Sequence, residues 1–324
     1  MTNWGILSTG GIAHKFADDL KLLPEASMIA VGSRSQETAE RFGDEYEIPY
    51  RFGSYRELVE CPEVEVVYIG TPHPFHQENT TLALNAGKAV LCEKPFALNA
   101  RQARAMIELA RAKKLFLMEA MWSRFTPLFQ QVKRWIQEGL IGEVQLVQSD
   151  YGQVMDFSPE NRFFNPDLGG GSLLDIGIYP ISLSSFIYEK QPVNIQSRVH
   201  LGNTGVDELA AMIFDYGNGK LAILSSAITL QTRGETVIIG TEGQIQIPGP
   251  WHQLREVKVI RKGQEKRHKY LRIGRGYAHQ AIEVMRCLKA GRTESTILPL
   301  DESLAIMQTL DRIREIWGFK YPME

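Results

Sequence analysis

Short apolar runs alternate with amphipathic stretches through the N-terminal part of the chain. Trp4–Leu7, Met28–Gly32, Val64–Ile69, Ala89–Cys92 and Leu115–Met118 are apolar runs broken by a charge only at Glu65, the pattern of strands covered on each side by helices. Between them lie helix-period segments: one running to Leu23, one over roughly Phe75–Asn85, and one over Ala100–Lys113 with Asn99 as its cap. Five strands alternating with helices predict a parallel, doubly wound α/β sheet of the Rossmann kind.

The pattern changes after a short helix at Phe129–Glu138 and the turn Gly139-Leu140-Ile141-Gly142. Glu143–Tyr151, Ile195–Leu201, Leu209–Tyr216, Lys220–Thr229, Thr236–Gly240, Gln244–Pro248 and Glu256–Arg261 alternate in part between apolar and polar positions, as half-buried strands do. Gly217-Asn218-Gly219 reads as a hairpin turn, and the charge-rich Lys258–Lys269 as a solvated hairpin. Helices at Tyr277–Ala290 and Asp301–Trp317 follow. This half predicts an α+β domain with a large, open, mostly antiparallel sheet. The expected division is a doubly wound domain over 1–122 and an α+β domain over 123–324.

A length of 324 residues suits two domains better than one core. The formal charge of −2 leaves no electrostatic footprint for nucleic acid or an anionic membrane. No apolar run approaches membrane-spanning length, and the N-terminal residues lack the basic and apolar regions of a secretory signal. Cys61, Cys92 and Cys287 are scattered and odd in number, which fits a reducing compartment better than a disulfide framework. The expected location is cytoplasmic.

The candidate chemistry lies at strand ends. Val90-Leu91-Cys92 stops at Glu93-Lys94-Pro95, which places Lys94 at the carboxyl tip of a parallel strand, where open α/β sheets bind ligands. The proline restricts the lysine to extended backbone. Ser8-Thr9-Gly10-Gly11-Ile12-Ala13 forms a strand, glycine turn and helix start, the context of a dinucleotide fingerprint, with Ser8 and Ala13 in place of its outer glycines. About twenty residues on, where an acid would hold the ribose of NAD, stands Ser33-Arg34-Ser35 instead. An arginine between hydroxyls suits a 2′-phosphate, so NADP(H) is preferred over NAD(H). A solvated helix-start arginine with capping serines is the plainer reading. Gly70-Thr71-Pro72-His73 continues from the third strand, with His76 at the next helix start. The two histidines lack the nearby acids or cysteines that would complete a ligand set, so no metal is expected.

In the second half, Gly169-Gly170-Gly171 opens onto Ser172-Leu173-Leu174-Asp175-Ile176-Gly177-Ile178-Tyr179-Pro180. If Leu173–Tyr188 is helical, Asp175 and Tyr179 share a face one turn apart, and Pro180 must kink the helix or sit near its first turn. A capping glycine loop with a core tyrosine is the simpler alternative.

Together these residues resemble the glucose–fructose oxidoreductase/inositol dehydrogenase (Gfo/Idh/MocA) family. The resemblance runs through the glycine turn, Thr71-Pro72 with His76, Glu93-Lys94-Pro95, Gly139–Gly142, Gly169–Tyr179 and Thr241-Glu242-Gly243. Tyr179, with Met118–Phe125 upstream, is similar to the branch holding dimeric dihydrodiol dehydrogenases and NADP-dependent xylose dehydrogenases. It implies a Rossmann domain, NADP(H), a sugar or vicinal-diol substrate, and a homodimer or dimer of dimers through the open C-terminal sheets. It further implies a coenzyme set of Ser8, Thr9, Gly10, Gly11, Ile12, Ser33, Arg34, Ser35, Gly70, Thr71, Pro72, His73, His76, Glu93, Lys94 and Arg162. A substrate set of Trp122, Arg124, Phe125, Tyr151, Phe157, Asp175 and Tyr179 goes with it. Tyr179 is the candidate acid/base, Lys94 the cation that favours its phenolate, and Asp175 the group that orients the pair or a sugar hydroxyl. The sequence leaves open which of Lys94 and Tyr179 delivers the proton, since a coupled pair titrates as a unit. Two rivals stand beside this reading: a non-catalytic NADP(H) sensor, and a reductase of a non-sugar carbonyl or imine.

Overall fold

A computed structural model describes residues 1–249 and 256–324. The chain forms two compact units, Met1–Thr126 with Ile273–Leu304, and Pro127–Arg272 with Ala305–Glu324. A single division after residue 122 therefore differs from the observed one: Ile273–Leu304 returns to the N-terminal unit.

In the first unit, strands β1 (Thr2–Leu7), β2 (Ala26–Gly32), β3 (Tyr50–Phe52), β4 (Val66–Ile69), β5 (Ala89–Glu93) and β6 (Leu117–Ala120) form one sheet. Its order is β3-β2-β1-β4-β5-β6, and every pairing is parallel. This is the doubly wound dinucleotide order, whose reversal between β1 and β4 opens a crevice at their carboxyl ends. The central strands read as continuous apolar runs because helices α1 (Gly11–Leu20), α2 (Gln36–Tyr46), α3 (Tyr55–Glu60), α4 (His76–Asn85) and α5 (Ala100–Lys113) connect them across the faces. Ser35 caps α2 through the Thr38 N–H, and Asn99 caps α5 through the Gln102 N–H. The strand beyond the expected five is β3, three residues at the sheet edge.

In the second unit, α6 (Pro127–Gln137) precedes β7 (Val144–Gly152). A π-helical turn at Leu173–Gly177 leads into α7 (Ile178–Tyr188). Then come β8 (Asn194–Leu201), β9 (Asp207–Asp215), β10 (Leu221–Ala227), β11 (Thr236–Gly240), β12 (Gly243–Ile247), β13 (Glu256–Arg261) and β14 (Gln264–Lys269). The sheet runs β14-β13-β12-β11-β7-β10-β9-β8, antiparallel except where β10 lies parallel to β7. Alternation decides its faces. Ala210, Met212, Phe214, Ala222 and Leu224 are buried, while Ile213 and Ile223, which pair directly across strands, stay 45% and 44% exposed. Helices α8 (Ala278–Lys289) and α9 (Leu300–Trp317) complete the chain. No helix among the described residues is long and apolar enough to cross a membrane.

Candidate active site

At the tip of β1, Ser8 has φ +114°, a backbone region that favours glycine. Its hydroxyl accepts the Gly10 N–H at 3.2 Å, a local bond of the kind that lets a short polar residue hold this conformation. The serine thus performs the turn that the fingerprint assigns to its first glycine. No side chain caps α1, and a Cβ at Gly11 would meet nothing within 4 Å. The helix start faces open space with its N–H donors forward, which fits a pyrophosphate. Ile12 packs close to Gly70 at the β4 tip.

A chain of hydroxyls runs beside this turn. Thr9 and Ser33 are 3.3 Å apart, Ser33 and Thr38 2.6 Å, and Thr38 and Ser35 3.0 Å. Arg34 is exposed at the same strand tip, and Arg41 lines an open cleft of about 350 Å³ with Thr9, His14 and Thr38. Thr38 and Arg41 lie outside the set expected from sequence. A signal for them exists, because both stand on the helix that follows Arg34 and whose start Ser35 caps. Hydroxyl donors and two guanidinium groups fit a phosphate on the ribose.

The tips of β4 and β5 are tied together by His76, which is fully buried. Its Nδ1 is 2.8 Å from the Pro95 carbonyl oxygen and its Nε2 2.8 Å from that of Thr71. Burial, the largest influence, pushes the imidazole pKa below its ordinary value, against the pull of the two carbonyls. With each ring nitrogen 2.8 Å from a carbonyl oxygen, one from each strand-tip loop, His76 ties the two loops together. His73 is buried with its ring edge-on to His76 at 6.2 Å. Thr71 accepts a bond from Asn79 at 3.2 Å. The Lys94–Pro95 peptide bond is cis. Glu93 is buried; it accepts the Tyr68 hydroxyl at 2.8 Å and the Lys94 N–H at 3.2 Å. Its carboxylate is thereby a brace beneath Lys94.

Trp122 and Phe125 are buried just past β6, and Trp122 packs on Tyr277 with ring centroids 5.2 Å apart. Tyr277 carries no local sequence signal, since its partner is far off along the chain. Arg124 differs from the expectation of a substrate contact. It is 2% exposed and paired with Glu302 at 2.5 Å, beside Glu119. Its charge is committed within the interior.

The second unit assembles its own group. The Arg162 guanidinium holds Asp175 in a fork, with three nitrogen–oxygen distances of 3.2 Å, and lies over the Phe163 ring at 4.0 Å. Arg162, expected in the coenzyme set, pairs here with the acid of the π-helical turn. Tyr179, 9% exposed, stands edge-on to Tyr151 at 5.7 Å. Tyr151 packs against the cluster of Phe164, Ile176, Val206 and Ile228. Phe157 is 56% exposed and meets Phe164 edge-on at 5.0 Å. The expected continuous helix is interrupted: the turn at Leu173–Gly177 is widened, just where the Pro180 ring would crowd the carbonyl of a regular turn.

The class follows from this construction: a doubly wound dinucleotide-binding unit joined in one chain to an open-sheet unit carrying an acid and a phenol. Residues 2–121 match the oxidoreductase family model with an NAD-binding Rossmann fold, and residues 129–246 match the GFO/IDH/MocA C-terminal domain. Trans-1,2-dihydrobenzene-1,2-diol dehydrogenase of Xenopus laevis is 37% identical over 333 residues, covering 99% of each chain. The D-xylose 1-dehydrogenase (NADP(+)) of Hypocrea jecorina is 36% identical over 363 residues, covering 98% of this chain and 93% of its own. The aldose-aldose oxidoreductase from Caulobacter crescentus, solved with glycerol, shares the fold at a TM-score of 0.89 and 23% identity over 98% of each chain. The chain belongs to the Gfo/Idh/MocA family of oxidoreductases. It is an NAD(P)-dependent, hydride-transferring dehydrogenase.

Proposed function

We propose that this dehydrogenase prefers NADP(H) and oxidises a carbinol carbon of a sugar or vicinal diol, or reduces the corresponding carbonyl. The observation that carries the reading is the Arg162–Asp175 pair set one turn ahead of Tyr179. A carboxylate held by a guanidinium can accept from a substrate hydroxyl, while a neighbouring phenol handles a proton. The activities named for the Xenopus and Hypocrea relatives support this substrate class.

Oxidation requires the carbinol carbon to lose a hydride and its oxygen to lose a proton. The nicotinamide, when bound, supplies the hydride chemistry. Tyr179 takes the hydroxyl proton, and Asp175 with Arg162 orients the adjacent hydroxyl. A free tyrosine has a pKa of about 10, so its use near neutrality needs a cation that favours the phenolate. Lys94 is assigned that role. Ser8–Ile12 and the β4 tip hold the pyrophosphate, and Ser33, Arg34, Ser35, Thr38 and Arg41 hold the 2′-phosphate. Trp122 and Phe125 serve as apolar walls. Arg124 is left out, since its pair with Glu302 accounts for it.

A second copy of the chain is assigned to the open sheet face bearing Ile213, Leu221 and Ile223, and the cytoplasm to a chain whose three cysteines are all free. The reading is tested by NADP-dependent absorbance change with D-xylose and with trans-1,2-dihydrobenzene-1,2-diol. Turnover of either supports it; tight NADPH binding with no turnover on a wide sugar and diol panel favours a sensor.

A further inference from the structure

The glycine stretch before Asp175 is a mounting rather than a phosphate cradle. Gly169 and Gly171 have φ of +72° and +114°. The Gly170 N–H donates to Asn165 O at 2.9 Å and the Gly171 N–H to Phe163 O at 2.8 Å. A Cβ at Gly170 would strike the carbonyls of Arg162, Phe163 and Asn165. Main chain therefore occupies the space, and the close approach is what brings Arg162 within reach of Asp175.

On the other side of the loop lies Asp207, the first residue of β9, wholly buried. Its Oδ2 accepts the Ser172 hydroxyl at 2.9 Å and the Leu173 N–H at 2.6 Å, at the first turn of the segment that carries Asp175 and Tyr179. Ser172 also meets the Ser226 hydroxyl at 2.9 Å. A Cβ at Gly171 would come within 2.1 Å of Oδ1, so the carboxyl and the glycine are mutually required. The Tyr321 hydroxyl donates to Gly170 O at 2.9 Å and holds the loop from a third direction.

We propose that Asp207 is the positioning residue of the active-site helix: through Ser172 and the Leu173 N–H it sets where Asp175 and Tyr179 stand. Burial pushes its carboxyl up to about 7, against the bonds from Leu173 and Ser172. Oδ1 has no hydrogen-bond partner among the described residues. A proton can therefore reside on Oδ1 while Oδ2 keeps both of its donors, and the positioning depends on acceptor geometry, not on charge. An asparagine carbonyl can take the place of Oδ2; an alanine cannot. The consequence for turnover rests on the assignment of Tyr179 as acid/base.

The test uses the full chain with ring-labelled tyrosine, the Tyr179 resonance being identified by its loss in Tyr179→Phe. Asp207→Asn is expected to keep that resonance in place, and kcat for D-xylose with NADP within about threefold of wild type. Asp207→Ala is expected to move the resonance and lower kcat by about a hundredfold, the size of a misplaced catalytic group, with NADPH affinity unchanged. Ser172→Ala, which keeps the carboxyl and the Leu173 bond, gives a smaller shift of the same kind and serves if Asp207→Ala does not fold. An unmoved resonance in both the alanine variants overturns the proposal, as does an asparagine variant no better than alanine. Full turnover in Tyr179→Phe would overturn the acid/base assignment alone, and the resonance would still decide the role of Asp207.

Discussion

Arg162 and Asp175 are thirteen residues apart in sequence, yet both terminal guanidinium nitrogens lie 3.2 Å from one carboxylate oxygen, and one of them 3.2 Å from the other. Bidentate pairing of this kind fixes the plane of the carboxylate as well as its charge. Asp175 is buried, while Arg162 is half exposed, so the value of the pair lies in orientation more than in stability.

Replacing Arg162 with lysine keeps the charge and removes the fork. The expected result is a fall in kcat/KM for D-xylose or the dihydrodiol of about ten- to a hundredfold, read by steady-state kinetics. NADPH affinity should stay at the wild-type value. A loss confined to NADPH binding would instead return Arg162 to the coenzyme.

The hydroxyl chain from Thr9 to Ser35 and the nearby Arg34 and Arg41 make a coenzyme prediction. Arg34→Ala and Arg41→Ala should each weaken NADPH binding by about tenfold or more, the worth of a charge-assisted hydrogen bond. NADH binding should move little. Fluorescence titration of both coenzymes measures the difference.

Glu119, fully buried at the end of β6, accepts the Ser303 hydroxyl at 2.7 Å, and burial pushes its pKa up to about 7. A carboxyl whose folded pKa exceeds its unfolded value contributes stability that is complete below the unfolded value. That stability is lost as pH rises through the folded one. The window here runs from the ordinary glutamate value of 4.5 to about 7. Thermal melts across this range should show Glu119→Gln gaining on wild type as pH rises, by at most about 1.4 kcal/mol per pH unit inside the window. Parallel melting curves at all pH values would contradict the assignment.

Ile213 and Ile223 face each other across β9 and β10 on the open side of the sheet. The edge strand β14 carries Lys266, Arg267 and Lys269, charges that discourage edge-to-edge pairing, so the face is the surface proposed for a second copy. Ile223→Lys should shift the chain toward monomer in sedimentation or light scattering. An unchanged assembly state would remove this face from the interface.

Much of the first unit is legible in the sequence because its strands are buried on both sides and bounded by Gly, Ser and Pro. Strand β3 is not: Tyr50-Arg51-Phe52 is short, mixed and at the edge. Strand β14 has no apolar face at all; only its hairpin partner signals it. Spacing places Asp175 and Tyr179 on one element, but not the widened turn between them, which depends on how Pro180 settles against the preceding carbonyl. Arg124 resembles a pocket residue because it follows Trp122. Its partner Glu302 is 178 residues away, beyond what local pattern can reveal. Asp207 is hidden for the same reason, since it meets the glycine loop only through the sheet.

The most direct test of the account is the NADP-dependent oxidation rate of D-xylose and trans-1,2-dihydrobenzene-1,2-diol by wild type, Lys94→Met and Tyr179→Phe. NADPH affinity is measured alongside in each. The account predicts turnover of at least one substrate by wild type and a loss of about a hundredfold or more in kcat for both variants, the size of a general acid–base contribution, with the coenzyme still bound. Full turnover in both variants with intact NADPH binding would contradict it.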